Sequence, residues 1–330
     1  MMQRNLLHSA VLITAAAFYS ASVLAQDGVR FPYKPVRIIV PQAPGGATDI
    51  QARLFAAKMT ETLRQQFIVD NRAGGGAAGV IAGQLVTRAE PDGYTLLAVT
   101  PSFTFSPALY RNYPIDPIKD FTPVSLLTRA PYLLVVNASV PVKSVKELIS
   151  LANSQPGKLN FGAGNIGTGT HLVTVWFLTA AKIKATYVPY KSTGPALLDL
   201  IGGRLDGALS NVLSSGPHVK AGRLRALGIS TAERSKALPD LPTIMEQGVS
   251  GYDASTFHGY VAPAKTPPAI VNRLSAEYAR ILKSPEIADK LSKDGADAVG
   301  STPAQFRKLI VSETQLWRKM IKEQGIKIEN

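Results

Sequence analysis

The chain has no cysteine in 330 residues. Disulfides and thiolate metal sites are therefore excluded, and stability has to come from burial rather than cross-links. Histidine is scarce, with His8 close to the start and only His171, His218 and His258 further along. There is no Gly-x-Ser-x-Gly elbow, no His-Glu-x-x-His pair and no acidic cluster at metal-ligand spacing. Serine hydrolase, zinc protease and carboxylate-metal chemistries lose their usual carriers, and no cofactor is expected. The formal charge is +13, yet Lys and Arg are dispersed beside Asp and Glu, as in KSVKE and EYARILKSPE. With no basic stripe interleaved with aromatics, nucleic acid is not an expected partner. A solvated basic surface that speeds encounter with anions fits better.

No apolar run beyond the N-terminus approaches the ~20 residues of a membrane span. The first residues read as a leader. Arg4 precedes an apolar stretch from Leu6 to Tyr19, and small residues end at Val23-Leu24-Ala25. That order is a secretory signal peptide, residues 1–25, with cleavage after Ala25. His8 and Ser9 interrupt a stretch already short for an anchor, and no cysteine is available for lipid attachment. A free periplasmic protein is expected. About 305 residues remain, enough for two domains.

From Val36 the chain alternates. VRIIV reads as a strand, DIQARLFAAKMTETL as a helix, QFIVDN as a strand, GVIAGQLVTRA as a helix and PDGYTLLAVT as a turn and strand. A second set begins near Ala130. YLLVVNAS is a strand, and Ser144 with Glu147 forms a capping box before VKELISLAN. LNFG, ATYVPYK, RLDGALS and LRALGIS read as strands. HLVTVWFLTAA and PALLDLI read as helices, the latter ended by Gly202-Gly203. After STFHGYVAPA, one more strand, the remainder is helical. Such alternation predicts an α/β fold with mainly parallel sheets flanked by helices. C-terminal helices without strands of their own are expected to return to the first domain. Domain 1 is then 26–128 plus 254–330, and domain 2 is 129–253. Chain crossings near Thr128–Pro131 and Gly251–Thr256 form a hinge, with a ligand expected in the crevice.

Two loops carry the chemistry. VPQAPGGATD joins the first strand to its helix. There Gly45 and Gly46 allow close approach to backbone N–H groups, Ala47 opens the helix, and Thr48 or Asp49 can cap it. A helix N-terminus presents up to four unpaired N–H groups and about half a positive charge, so it holds an anion without any cation. A P-loop needs Gly-Lys-Ser/Thr after its glycines, and the dinucleotide fingerprint needs another spacing; neither is present. The loop Gly162–His171 repeats the device in the second half, adding the hydroxyls of Thr168 and Thr170. Two such jaws suit a molecule with a carboxylate at each end. His171 is either a general base or a brace for its loop. Asp49 either caps its helix or reaches the ligand. Lys191 reads as exposed.

The series YKPVRIIVPQAPGGATD, DNRAGGGAAG, PDGYTLL, SPALY, KDFTPVSLL, KSVKELI, GTGTHL, VPYKSTGPALLDLIGGRLD, PHVKAGRLRAL, LPDLPTIMEQGVSGY and GSTPAQF resembles the Bug family. These are the TctC-like extracytoplasmic solute receptors of tripartite tricarboxylate transporters, and the resemblance covers essentially the whole mature chain. It implies a two-domain flytrap of the periplasmic-binding-protein type (type II-like), with hinge crossings between domains. It also implies capture of a small carboxylate, whether di- or tricarboxylate, aromatic carboxylate or acidic amino acid. The receptor would be a monomer, partnered by the transporter's membrane components or a sensor-kinase ectodomain. Carried over by position, the ligand-binding residues are Gly45, Gly46, Ala47, Thr48 and Asp49, and across the cleft Gly167, Thr168, Thr170 and His171. Thr100, Ser102 and Asn211 join them. Two positions depart from the family pattern. Gly164-Asn165 stands where the family has a Ser-Gly pair, and Ser210 stands where it has an acid. The rival readings are an exported hydrolase-like enzyme using His171 and a protein-interaction module for a sensor ectodomain.

Overall fold

The computed structural model describes residues 31–323, except 43, 45–46, 74–78, 165 and 191–192. The leader, Gly45, Gly46, Asn165 and Lys191 lie outside the described residues. In chain order the elements are β1 (Val36–Val40), α1 (Ala47–Leu63), β2 (Phe67–Asn71), α2 (Val80–Thr87), β3 (Thr95–Val99), α3 (Ser102–Leu109), β4 (Phe121–Asn137), α4 (Val145–Ser154), β5 (Asn160–Ala163) and α5 (Gly169–Ala180). There follow β6 (Thr186–Pro189), α6 (Thr193–Ile201), β7 (Gly207–Asn211), α7 (Val212–Lys220), β8 (Leu224–Ile229), β9 (Ser255–Pro263), α8 (Pro268–Leu282), α9 (Pro285–Lys293), β10 (Asp297–Ala298) and α10 (Pro303–Glu323).

The strands run β2-β1-β3-β9-β4-β7-β5-β6, with β8 and β10 also pairing with β4. Two parallel blocks, β2-β1-β3 and β6-β5-β7, sit at the outside. β9 and β4 join them antiparallel, so the mainly parallel expectation holds for the blocks and the centre is antiparallel. β1 illustrates why. Val36, Ile38, Ile39 and Val40 are all fully buried, as a strand covered by helices on both faces requires.

β4 is the spine. Its residues from Phe121 to Pro131 pair with β9, and those from Tyr132 to Asn137 pair with β7 and β8. The chain crosses back where Ala254 N–H donates to Ser230 O (2.9 Å) and Ser230 Oγ donates to Ala254 O (2.6 Å). Tyr132 N–H in turn donates to Ser230 Oγ (2.8 Å), which stitches the two crossings together. α4 has the expected box, with Glu147 N–H donating to Ser144 Oγ (3.1 Å). The Glu147 carboxylate reaches one residue further back, to Lys143 N–H (2.7 Å).

α10 makes a third connection between the halves. At 1.5 Å per residue its 21 residues span about 32 Å. Phe306 and Ile310 pack with Ile39, Leu97, Phe257 and Val261 of the first half. Trp317 and Ile321 pack with Trp176, Phe177 and Tyr252 of the second. The Trp317 ring meets both Phe105 (6.0 Å) and Trp176 (5.6 Å) edge-on. One helix is thus anchored in both cores.

Candidate functional site

A cleft of about 690 Å³ opens where the two halves of the sheet meet, within the usual size for a small-molecule site. The C-terminal ends of β1, β3, β5, β6 and β7 all feed helices that begin at its wall. α1 contributes Ala47, Thr48, Ile50 and Gln51, and α3 brings Thr100, Pro101, Ser102 and Phe105. α5 contributes Gly167 to Thr170, α6 Thr193, and α7 Asn211 to Ser214. Five helix N-termini therefore converge on one volume, as the topology of an α/β sheet favours.

Asp294 is the only charged side chain among the described lining residues. A chain of net charge +13 thus builds this cavity without a lysine or arginine among them. Attraction for an anion must come from backbone N–H groups, hydroxyls and helix dipoles. α3 and α7 begin at Pro101 and Asn211 with no side-chain cap bond; in α3 the N–H groups of Phe103 and Thr104 instead donate to Thr100 O (2.9 Å) and Pro101 O (3.0 Å).

The α5 loop is held in detail. Thr168 Oγ1 caps the helix by accepting from His171 N–H (3.3 Å). Thr170 Oγ1 accepts from Gly164 N–H (3.1 Å) and lies 3.3 Å from Thr168 Oγ1. A Cβ on Gly164 would stand 2.8 Å from both hydroxyls, so the departure from Ser-Gly to Gly-Asn leaves room for this pair. Gly167 has φ +84°, a backbone that side chains resist. Tyr187 Oη donates to Gly164 O (2.5 Å) behind the loop. Gly169 faces Tyr132 Oη, which a Cβ there would meet at 2.8 Å. Burial pushes the Tyr132 phenol pKa upward, and its hydroxyl bonds with Thr256.

Of the expected site residues, Ala47, Thr48, Thr100, Ser102, Gly167, Thr168, Thr170 and Asn211 line the cleft. Gly45 and Gly46 lie outside the described residues. His171 and Asp49 are not among the lining residues. His171 is buried behind the wall, where its Nδ1 accepts from Gly167 N–H (3.1 Å) and its ring packs against Tyr187 (4.7 Å). Burial lowers its pKa to about 4, and protonation would also break the Gly167 bond, so it braces the loop as a neutral ring. Asp49 is also buried. Arg53 grips its carboxylate with Nε and Nη2 (3.0 Å each), and Asn71 Nδ2 adds a third bond (3.0 Å). Ser210 is fully buried on β7 opposite Leu133, so the loss of an acid there does not alter the charge of the wall.

Gln51, Thr128, Tyr132, Thr256, His258 and Asp294 also line the cleft and were not expected. Thr128 and His258 are register partners on β4 and β9. Thr256 and His258 share one face of β9 by strand alternation. The only available signal was that alternation, which also describes an ordinary half-buried strand.

The family model described as the tripartite tricarboxylate transporter family receptor matches residues 51–326. A UPF0065 protein from the tcbD-tcbE intergenic region of Pseudomonas sp. strain P51 is 36% identical, over 94% of this chain and 92% of its own. Protein BugT of Bordetella pertussis is 33% identical over 96% and 97%. Among solved structures, R. palustris Rpa4515 with adipate is 38% identical with TM-score 0.76, covering 90% of this chain and all of its own. MatC from Rhodopseudomonas palustris with bound malate is 32% identical with TM-score 0.72, covering 88% and all of its own. The matched family is one of transporter receptors, which removes the enzyme alternative. The chain belongs to the tripartite tricarboxylate transporter receptor family, the Bug-type solute-binding proteins, and shares their α/β fold.

Proposed function

We propose that this receptor captures a small carboxylate in the cleft and delivers it, in the periplasm, to the membrane components of a tripartite tricarboxylate-type transporter or to a sensor ectodomain. The observation that carries the reading is the convergence of five helix N-termini on a cleft with no cationic side chain among its described lining residues. A carboxylate seated at the start of α1 would face a second at the start of α5 across the cavity. Solved relatives holding adipate and malate support the ligand class. Adipate, malate, aromatic carboxylates and acidic amino acids are all candidates.

Residues 26–128 with 254–330 would form one domain and 129–253 the other, hinged where β4 changes partners. Preferential binding to the closed form would drive closure. Export would follow cleavage after Ala25. No helix among the described residues is long and apolar enough to cross a membrane.

A thermal-melting screen of mono-, di- and tricarboxylates tests the reading. A ligand at 100 times its dissociation constant stabilises by about 2.7 kcal/mol, a shift of about 4 °C at this size. A protein whose melting no carboxylate moves, and which carries none when purified, would not have this function.

A further inference from the structure

The floor of the cleft is polar and uncharged, formed where the central strands β4 and β9 pass between the two halves. Thr128 and His258 stand opposite each other in register, and Thr256 precedes His258 on the same face. Most of these groups are already engaged. Thr128 Oγ1 donates to Gln51 Oε1 (2.9 Å), and Tyr132 bonds with Thr256. His258 differs. Its imidazole lines the cleft, yet no hydrogen bond or neighbouring charge acts on it, and burial alone lowers its pKa to about 4. It is therefore a neutral ring with one N–H and one lone pair, half-buried at the cleft surface without a hydrogen-bond partner among the described residues. Polar groups left so in a cavity are the ones a ligand satisfies.

The helix N-termini serve the ends of a dicarboxylate, and the floor lies between them. A neutral imidazole cannot compete for those charges. It can exchange one directional bond with whatever the middle of the ligand carries. Ile50, Phe105 and Leu213 supply apolar wall to the same cleft, so a bare methylene chain also fits but leaves the imidazole unpaired. Resting on the carboxylate reading, we propose that His258 is a specificity-determining residue that hydrogen-bonds a hydroxyl or oxo group carried between the two carboxylates of the ligand. The receptor is then selective for substituted dicarboxylates over plain ones of equal length.

Calorimetric titration with matched probes tests this: succinate against malate, and glutarate against 2-oxoglutarate. The mature protein should favour the substituted member of at least one pair by about tenfold or more, the worth of one well-placed bond. His258→Leu should bring that ratio close to one while affinity for the plain acid changes by less than about threefold. His258→Gln, which keeps a donor and an acceptor, should retain part of the preference. Melting curves establish that each variant is folded. A wild-type protein without preference in either pair, or a preference that survives in His258→Leu, overturns the assignment while leaving carboxylate binding intact. Failure of every carboxylate to bind the wild type overturns the underlying reading as well.

Discussion

Thr170→Val removes one oxygen from the α5 loop while preserving its shape and the helix. Thr170 is 7% exposed, and its Oγ1 accepts from Gly164 N–H at 3.1 Å. Valine strips the acceptor and leaves a buried backbone donor unpaired, which costs about 1–3 kcal/mol. At about 1.6 °C per kcal/mol for a chain of this size, melting should fall by about 2–5 °C. The same hydroxyl lies 3.3 Å from Thr168 Oγ1, the helix cap, and both residues line the cleft. Loosening the loop also misaligns the N–H groups proposed to hold a carboxylate. Hydrogen bonds to charged groups are worth about 1.5–3 kcal/mol each, so affinity should fall by about tenfold or more. Thr170→Ser keeps the oxygen and should recover most of both losses. Differential scanning fluorimetry and calorimetry read the two effects separately. If Thr170→Val melts within about 1 °C of wild type and binds as tightly, the loop is not held in the way argued here.

Three further outcomes follow from the same geometry. Asp49→Asn should cost stability, because Arg53 loses its carboxylate partner, but should not change the ratio of amino-acid to plain dicarboxylate affinity; a selective change would put Asp49 on the ligand. Burial and the Gly167 bond keep His171 neutral, with a folded pKa of about 4 against 6.5. The unfolded chain therefore binds the extra proton first, and the stability His171 contributes is full above pH 6.5 and fades as pH falls toward 4, by up to about 3 kcal/mol. Urea melts across that range should show the loss in wild type and a flatter profile in His171→Gln. Trp317→Ala should destabilise by about 3–5 kcal/mol, and because the ring meets Phe105 and Trp176, it should also weaken the coupling between the halves, visible as a broadened or biphasic melt.

Local pattern made much of this legible. VRIIV, FIVDN and LNFG are short apolar runs between helix-period segments, and all became strands. The Thr168–Thr170 hydroxyls could be picked out because residues of that type before a helix have a capping role. Long-range features were harder. The N-terminal part of β4 was missed because Pro123 and two register shifts, between Pro123 and Ser125 and between Leu126 and Thr128, break its alternation. The helices α3 and α7 were missed because each contains a proline, Pro107 and Pro217, so propensity argued against them. With them went two of the five convergent helix ends, although Thr100, Ser102 and Asn211 entered through the family resemblance. α10 shows one apolar stripe, Phe306, Ile310, Trp317 and Ile321, and nothing in its spacing tells that one end meets each core. His258 carries no local mark, since a lone histidine on a strand becomes informative only when its neighbours across the sheet are known.

The central claim is that backbone and hydroxyl groups at helix N-termini, rather than cationic side chains, give this cleft its affinity for carboxylates. The most direct test is calorimetry with the diacid that shifts melting most, beside its uncharged diamide of equal length. The account predicts saturable one-to-one binding of the diacid and none of the diamide at comparable concentrations. Equal binding of the two would contradict it.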